Sequence, residues 1–210
     1  MGISEEQYEK YKRFNEWCVQ NGVIGPKVFY PARFSNGLIG MKCLAPIEYR
    51  EAYLFIPYKL LMTMENAKRV PELQYLIKNY EIFHHRRGKE PEQCILTLFM
   101  LWEYQKGPES FWWPYLDLLP EFEQFVWELD KDKYIKQSQC VMFYDYARGF
   151  KTDGDEIFND FKLVVEENTP TIFKAGMFTK RVFNKLYGSC CTRCFGYGVP
   201  YTCMVPMGDF

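Results

Sequence analysis

The chain has 210 residues, 48% hydrophobic and 19% aromatic, enough apolar material for one large domain or a domain with a sizeable insertion, and too much for a disordered polymer. Its 26 basic and 27 acidic side chains leave a net charge of −1, and no run of Lys and Arg is dense enough to follow a phosphate backbone, which argues against nucleic acid as a primary partner. The longest near-continuous apolar stretch, Cys94 to Trp102, is far shorter than the ~20 residues that cross a bilayer, and Glu5, Glu6 and Glu9 crowd the N-terminus, so no membrane partner and a cytoplasmic or nuclear location with reduced thiols are expected.

Ser4 and Gln7 have capping-box spacing, and Tyr8, Tyr11, Phe14 and Cys18 recur at helical intervals until Gly22, which predicts an N-terminal helix. Val28 to Phe34, Leu38 to Leu44 and Ala52 to Pro57 read as short strands, separated by Ser-Asn-Gly at 35–37 and by Pro46-Ile47-Glu48. The pattern changes at Thr63, an N-cap for Met64 to Val70; Pro71 then opens a helix with Leu73, Leu76, Ile77 and Tyr80 on one face. From Pro91, apolar residues repeat at three and four but also fill the opposite face with Leu96, Phe99 and Met100, which predicts a helix buried nearly all round and ended by Gly107-Pro108.

Further helices are predicted around Lys131 to Arg148, Glu156 to Glu167 and Thr179 to Cys191, the last with Phe183, Tyr187, Cys190 and Cys194 in register; Tyr201 to Pro206 returns to strand. The expected class is α+β: a β domain interrupted by a long helical insertion, divided as 1–62, 63–177 and 178–210, with the strands of 37–57 and 201–206 in one β region.

Two blocks, Tyr53-Leu54-Phe55-Ile56-Pro57-Tyr58-Lys59-Leu60-Leu61-Met62-Thr63 and Ser110-Phe111-Trp112-Trp113-Pro114-Tyr115-Leu116-Asp117-Leu118-Leu119-Pro120, resemble the SET-domain methyltransferases of the Rubisco large-subunit lysine and actin histidine type. The resemblance implies an N-terminal β half with a glycine turn beside S-adenosylmethionine, a helical insertion, and a second β half that completes the pocket. Here the turn is Asn36-Gly37-Leu38-Ile39-Gly40-Met41: Gly40 matches the family's second glycine, Leu38 occupies the place of the first, and a one-residue bulge would return Gly37 to that role. An ordinary ligand-free β-turn is the alternative.

Cys190-Cys191-Thr192-Arg193-Cys194-Phe195 resembles the family's Ser/Thr-Arg-x-Phe segment, which implies Arg193 near the cofactor carboxylate, an oxyanion pair suited to a guanidinium fork; a solvated charge at a helix end is the alternative. Met204-Val205-Pro206-Met207-Gly208-Asp209 resembles the strand and loop leading to an Asn-His pair, which places Asp209 beside the cofactor and the pair itself, with the catalytic tyrosine, beyond Phe210. The C-terminal half of the SET core is therefore expected to be missing, no catalytic residue is assigned, and the chain alone is expected to bind S-adenosylmethionine weakly or not at all.

Cys190, Cys191, Cys194 and Cys203 offer four thiolates to zinc, but adjacent helical cysteines point about 100° apart. Packing on the apolar face with Phe183 and Tyr187 is the expectation, and no metal is assigned. His84 and His85, followed by Arg86-Arg87-Gly88, read as a solvated turn, and Trp112, Trp113 and Tyr115 as core aromatics instead of a methyl-lysine cage. Three functions fit: part of a protein N-methyltransferase acting on lysine or histidine, a SET-derived scaffold that binds no cofactor, and one half of an enzyme completed by another chain. In each case the partner is a protein, as substrate or in an assembly, and is expected to cover the strands at 38–44 and 201–206.

Overall fold

A computed structural model describes residues 4–35, 39–84, 91–121, 132, 136, 139, 141–196 and 202–204. Helix α1 (Glu5–Gln20) starts at a complete capping box, in which the Gln7 N–H donates to Ser4 Oγ at 3.2 Å and the Ser4 N–H to Gln7 Oε1 at 3.3 Å. Gly22, at φ +92°, takes the left-handed conformation that turns the chain out of the helix. The buried stripe Phe14, Trp17 and Cys18 then faces strand β1 (Val28–Arg33), where Tyr30 meets Tyr11 and Phe14 edge-on at 5.9 and 5.7 Å.

Strand β1 pairs antiparallel with β2 (Ile39–Cys43). The predicted third strand, Ala52 to Pro57, is corrected to a single antiparallel bridge in which Ile24 and Phe55 exchange hydrogen bonds at 3.0 and 2.8 Å. Two features limit the pairing: the chain turns away at Gly25, whose carbonyl accepts from the Val28 N–H at 3.1 Å, and Pro57, which has no N–H, ends the run.

Strand β3 (Met62–Thr63) runs directly into α2 (Met64–Arg69), capped by Thr63 as predicted: the Asn66 N–H donates to Thr63 Oγ1 at 3.2 Å and the Thr63 N–H to Asn66 Oδ1 at 2.8 Å. Pro71 opens α3 (Pro71–Asn79), where its absent N–H removes no helical bond. Helix α4 (Pro91–Tyr104) is buried over every residue from Cys94 to Leu101 and supports α2, α3, β3 and two of the helices that follow. Beyond the 3₁₀ turn Gly107–Glu109 comes the short α5 (Trp113–Leu116).

The two helices predicted at 131–148 and 156–167 are corrected in part: α6 (Val141–Glu167) runs unbroken from 141, while most of 131–140 lies outside the described residues. A glycine within a helix costs only about 1 kcal/mol, and Gly154 has nothing within 4 Å of the place a Cβ would take. Burial of Ile157, Phe161, Val164 and Val165 one turn later outweighs that cost at ~1.5–3 kcal/mol each. Helix α7 (Lys180–Arg193), N-capped by Thr179, packs on α4 and brings Phe183 against Phe158, Phe161 and Phe178.

The chain then forms β4 (Cys194–Gly196) and β5 (Thr202–Met204), in a sheet of order β3-β5-β4, all antiparallel. Cys194 therefore begins a strand and does not continue the helical register. Among the described residues the expected β region consists of two sheets: β5 pairs with Met62 and Thr63, outside the β1–β2 sheet. The physical reason is α4, which touches α7, α2, β3 and β5, so the segment leaving α7 meets the strand just before α2. The order is still strand, helices, strand, with one sheet built from residues on both sides of the helical stretch.

Because Thr63 both caps α2 and pairs with Cys203 in the sheet, replacing it by Ala is expected to lower stability by roughly 1–2 kcal/mol in urea denaturation. Thr63→Ser, which keeps the cap oxygen, is expected to recover most of the loss.

Candidate functional site

The residues singled out by the glycine turn sit at the start of β2. Ile39 pairs with Arg33 and Gly40 with Ala32, and both Ile39 and Gly40 are buried. A one-residue irregularity does occur in this hairpin, but on β1: the register moves between Phe29↔Lys42 and Ala32↔Gly40, around Tyr30-Pro31, where proline cannot donate to the ladder. Gly37 and Leu38 lie outside the described residues. The end of β1 is held to α1 by Arg33, whose guanidinium carbon lies 5.8 Å from the centre of the Tyr8 ring.

Arg193 is the last residue of α7, half-buried, and its Nη1 donates to Thr192 Oγ1 at 3.0 Å. A cation suits the negative end of a helix, and the chain leaves it directly into β4. The strand pairings thus place Ile39 and Gly40 in one sheet and Arg193 at the edge of the other. Asp209 lies outside the described residues.

What aims α7 is an ion-pair cluster that spacing in the sequence does not reveal, since Glu121 and Lys185 are far apart and neither belongs to a motif. Lys185 is buried, and its Nζ lies 3.2 Å from Glu121 Oε1 and 5.7 Å from the centre of the Tyr104 ring; Arg181 Nε donates to Glu121 Oε2 at 3.0 Å. Burial alone would raise the Glu121 carboxyl, but the Arg181 hydrogen bond and the charge and hydrogen bond of Lys185 outweigh it and hold the carboxyl below its ordinary range.

The cysteines divide. Cys190 is fully buried in the α4–α7 contact, as the packing reading expects, with its Sγ 3.7 Å from the Gln93 carbonyl and 3.3 Å from Cys194 Sγ. Cys191 is exposed, which corrects its assignment to the apolar face: it is one residue, about 100°, round the helix from Cys190. Among the described residues no group of three or more His, Cys, Asp or Glu is placed to hold a metal ion. His84 is exposed on a turn, with Nε2 3.2 Å from the Lys78 carbonyl; His85 lies outside the described residues. Tyr115 is buried and Trp112 and Trp113 are half-buried, so these aromatics form no open cage.

Behind the hairpin lies a cavity of about 220 Å³, lined by Phe14, Cys18, Val28, Tyr30, Met41 and Ile56 among others. None of its lining side chains is charged, so it offers no ionic partner to a zwitterionic ligand. Among the described residues, no helix is long and apolar enough to cross a membrane.

No family model matches the chain. It is similar to curated actin-histidine N-methyltransferases: 30% identical over 151 residues to that of Gallus gallus, covering 71% of this chain and 24% of the relative. Against that of Homo sapiens the identity is 29% over 151 residues, with the same two coverages of 71% and 24%. The chain thus spans about a quarter of the length of these relatives. In three dimensions it superposes on the SET domain of LSMT bound to lysine and AdoHcy with a TM-score of 0.74 at 17% identity, covering 95% of this chain and 42% of that one. The structure of Rubisco LSMT bound to sinefungin and monomethyllysine gives a TM-score of 0.72 at 17% identity, with 97% and 44% covered.

A carboxyl held below its ordinary range contributes stability that is fully present above its unfolded value, near 4.5, and is lost as the pH falls through the lower folded value. Glu121→Gln is therefore expected to lower stability at pH 7 by about 1–2 kcal/mol, between the values of exposed and buried pairs, and to flatten the acid limb below pH ~4.5. Guanidinium denaturation of both proteins at pH 7 and pH 3 checks this; an equal difference at both pH values would contradict it.

Proposed function

We propose that the chain, which is similar to SET-domain protein methyltransferases of the Rubisco large-subunit lysine and actin histidine type, carries the N-terminal β half and helical insertion of an S-adenosylmethionine-dependent protein N-methyltransferase. In this reading residues 1–62 form the N-terminal helix and first β half, 63–177 the insertion, and 178–210 the start of the second half. The supporting observation is the sheet β3-β5-β4, in which strands after the helical stretch pair with Met62–Thr63 before it, within a fold that superposes over 95% of the chain. The acceptor is a side-chain nitrogen of a protein, lysine as the commoner choice and histidine as the other.

When bound, S-adenosylmethionine supplies an electrophilic methyl group on a sulfonium. The described residues suit part of such a ligand. Gly40 has no side chain to obstruct approach to the β2 backbone, and Arg193 presents a guanidinium to a carboxylate at a helix end whose own partial charge would repel it. We assign Gly37, Leu38, Ile39 and Gly40 to the main-chain side of the pocket, Arg193 to the carboxylate, and Asp209 to a position beside the cofactor. A SET-derived scaffold without cofactor is the second reading, favoured by Leu38 where the family has glycine.

Titration of the ¹⁵N-labelled protein with S-adenosylmethionine into the millimolar range is expected to give weak, saturable shifts at the Ile39, Gly40 and Arg193 amides and none across α4. Arg193→Ala is expected to weaken binding roughly tenfold, the value of one charge-assisted hydrogen-bonded contact. Saturable shifts elsewhere with none at these amides would overturn the site assignment. No shifts at any concentration would support the scaffold.

A further inference from the structure

Independently of the methyl-transfer reading, the junction of α7 and β4 holds a pair of thiols in an arrangement that packing alone does not require. Cys190 Sγ and Cys194 Sγ are 3.3 Å apart. The Cys194 N–H donates to the Cys190 carbonyl, so their Cα atoms stand one helical turn apart, ~6 Å, within the span a disulfide bridges. The sulfurs need to close by about 1.3 Å to reach bonding distance. Access is asymmetric: Cys190 is fully buried, whereas Cys194, the first residue of β4, is half-buried and the more accessible of the two.

We infer that Cys190 and Cys194 are a reversible dithiol–disulfide pair, oxidised by a hydroperoxide and restored by a thiol reductant. The Cys194 sulfur attacks the terminal oxygen of the hydroperoxide, an S–O bond forms as the O–O bond breaks, and the departing oxygen takes the Cys194 thiol proton and leaves as water or an alcohol, with Cys194 now a sulfenic acid. The Cys190 sulfur then attacks the Cys194 sulfur, an S–S bond forms, the S–O bond breaks, and the Cys190 proton leaves with the hydroxyl as water. Two thiols are oxidised and one peroxide is reduced. Burial keeps the Cys190 sulfur from the oxidant, while its 3.3 Å distance from Cys194 Sγ puts it within reach to resolve the sulfenic acid. Closure ties the last turn of α7 to the first residue of β4 across Arg193.

Trypsin makes the pair directly observable, because cleavage after Lys185 and Arg193 puts Cys190 on the peptide 186–193 and Cys194 on the peptide 194–210. The intact protein is treated with hydrogen peroxide, alkylated with iodoacetamide, digested without reduction and measured by mass spectrometry. The expected product is the two peptides joined, two hydrogens lighter than their sum, and separated again by dithiothreitol. Each joined peptide carries a second cysteine, so Cys191→Ser and Cys203→Ser are expected to leave the product in place, while Cys190→Ser and Cys194→Ser reduce it roughly tenfold or more. If Cys190→Ser loses its circular dichroism spectrum, the half-exposed Cys194→Ser decides alone. Persistence of the joined peptides in folded Cys190→Ser or in Cys194→Ser, or oxidation of Cys194 to sulfinic acid with no joined product, overturns the inference.

Discussion

One hydrogen bond joins the two sequence blocks on which the family resemblance rests: Trp112 Nε1 donates to the Leu60 carbonyl at 3.1 Å. The carbonyl belongs to a fully buried residue just before β3, and an indole N–H buried without an acceptor would cost more than the bond itself contributes. The pairing therefore constrains both blocks at once. Around it Phe111 meets Trp17 at 5.3 Å, Trp112 meets Phe99 at 5.3 Å and Tyr115 meets Phe14 at 5.9 Å, so one short aromatic segment holds α1, α4 and the entry to β3 in fixed relation. Glu103 reinforces the segment from below: it is buried, accepts from Ser110 Oγ at 2.7 Å and is paired with Lys106.

The small sheets inherit their positions from this packing. Strands of two or three residues are too short to be stable alone, and β3, β4 and β5 exist because α4 supports β3 and β5 on one side while α7 delivers β4 on the other. The hairpin β1–β2 depends in the same way on the Tyr11, Phe14 and Tyr30 contacts with α1. Gly40 and Arg193, the described ends of the proposed pocket, both lie where a short strand meets this helical support.

Helix α7 concentrates the chemistry that the rest of the fold leaves unused. Its buried face holds Phe183, Leu186 and Cys190; the buried Lys185 is neutralised by Glu121; and its C-terminus carries Arg193 between two sulfurs in contact. A rotation of this helix by one residue would bury Cys191 in place of Cys190 and unpair Lys185, so hydrophobic burial and the ion pair select the same register.

Local chemistry determined much of this protein from the sequence alone. The capping boxes at Ser4 and Thr63, the opening prolines at 71 and 91, and the all-round apolar pattern of 94–101 each act within a turn or two of the chain, and the structure places them as their residues dictate. The two eleven-residue blocks, 53–63 and 110–120, also pointed to the fold. Tertiary structure decided what depends on partners distant in sequence: that residues 52–57 make one bridge and no strand, that the helix through Gly154 is continuous, and that β5 joins β3 instead of β2. The Glu121–Lys185 pair belongs to the same class, as does the placing of Ile39 and Gly40 in one sheet and Arg193 at the helix end that leads into the other. Periodicity records which face of an element is apolar but not which neighbour covers it; for α2, α3, β3, β5 and α7 that neighbour is α4.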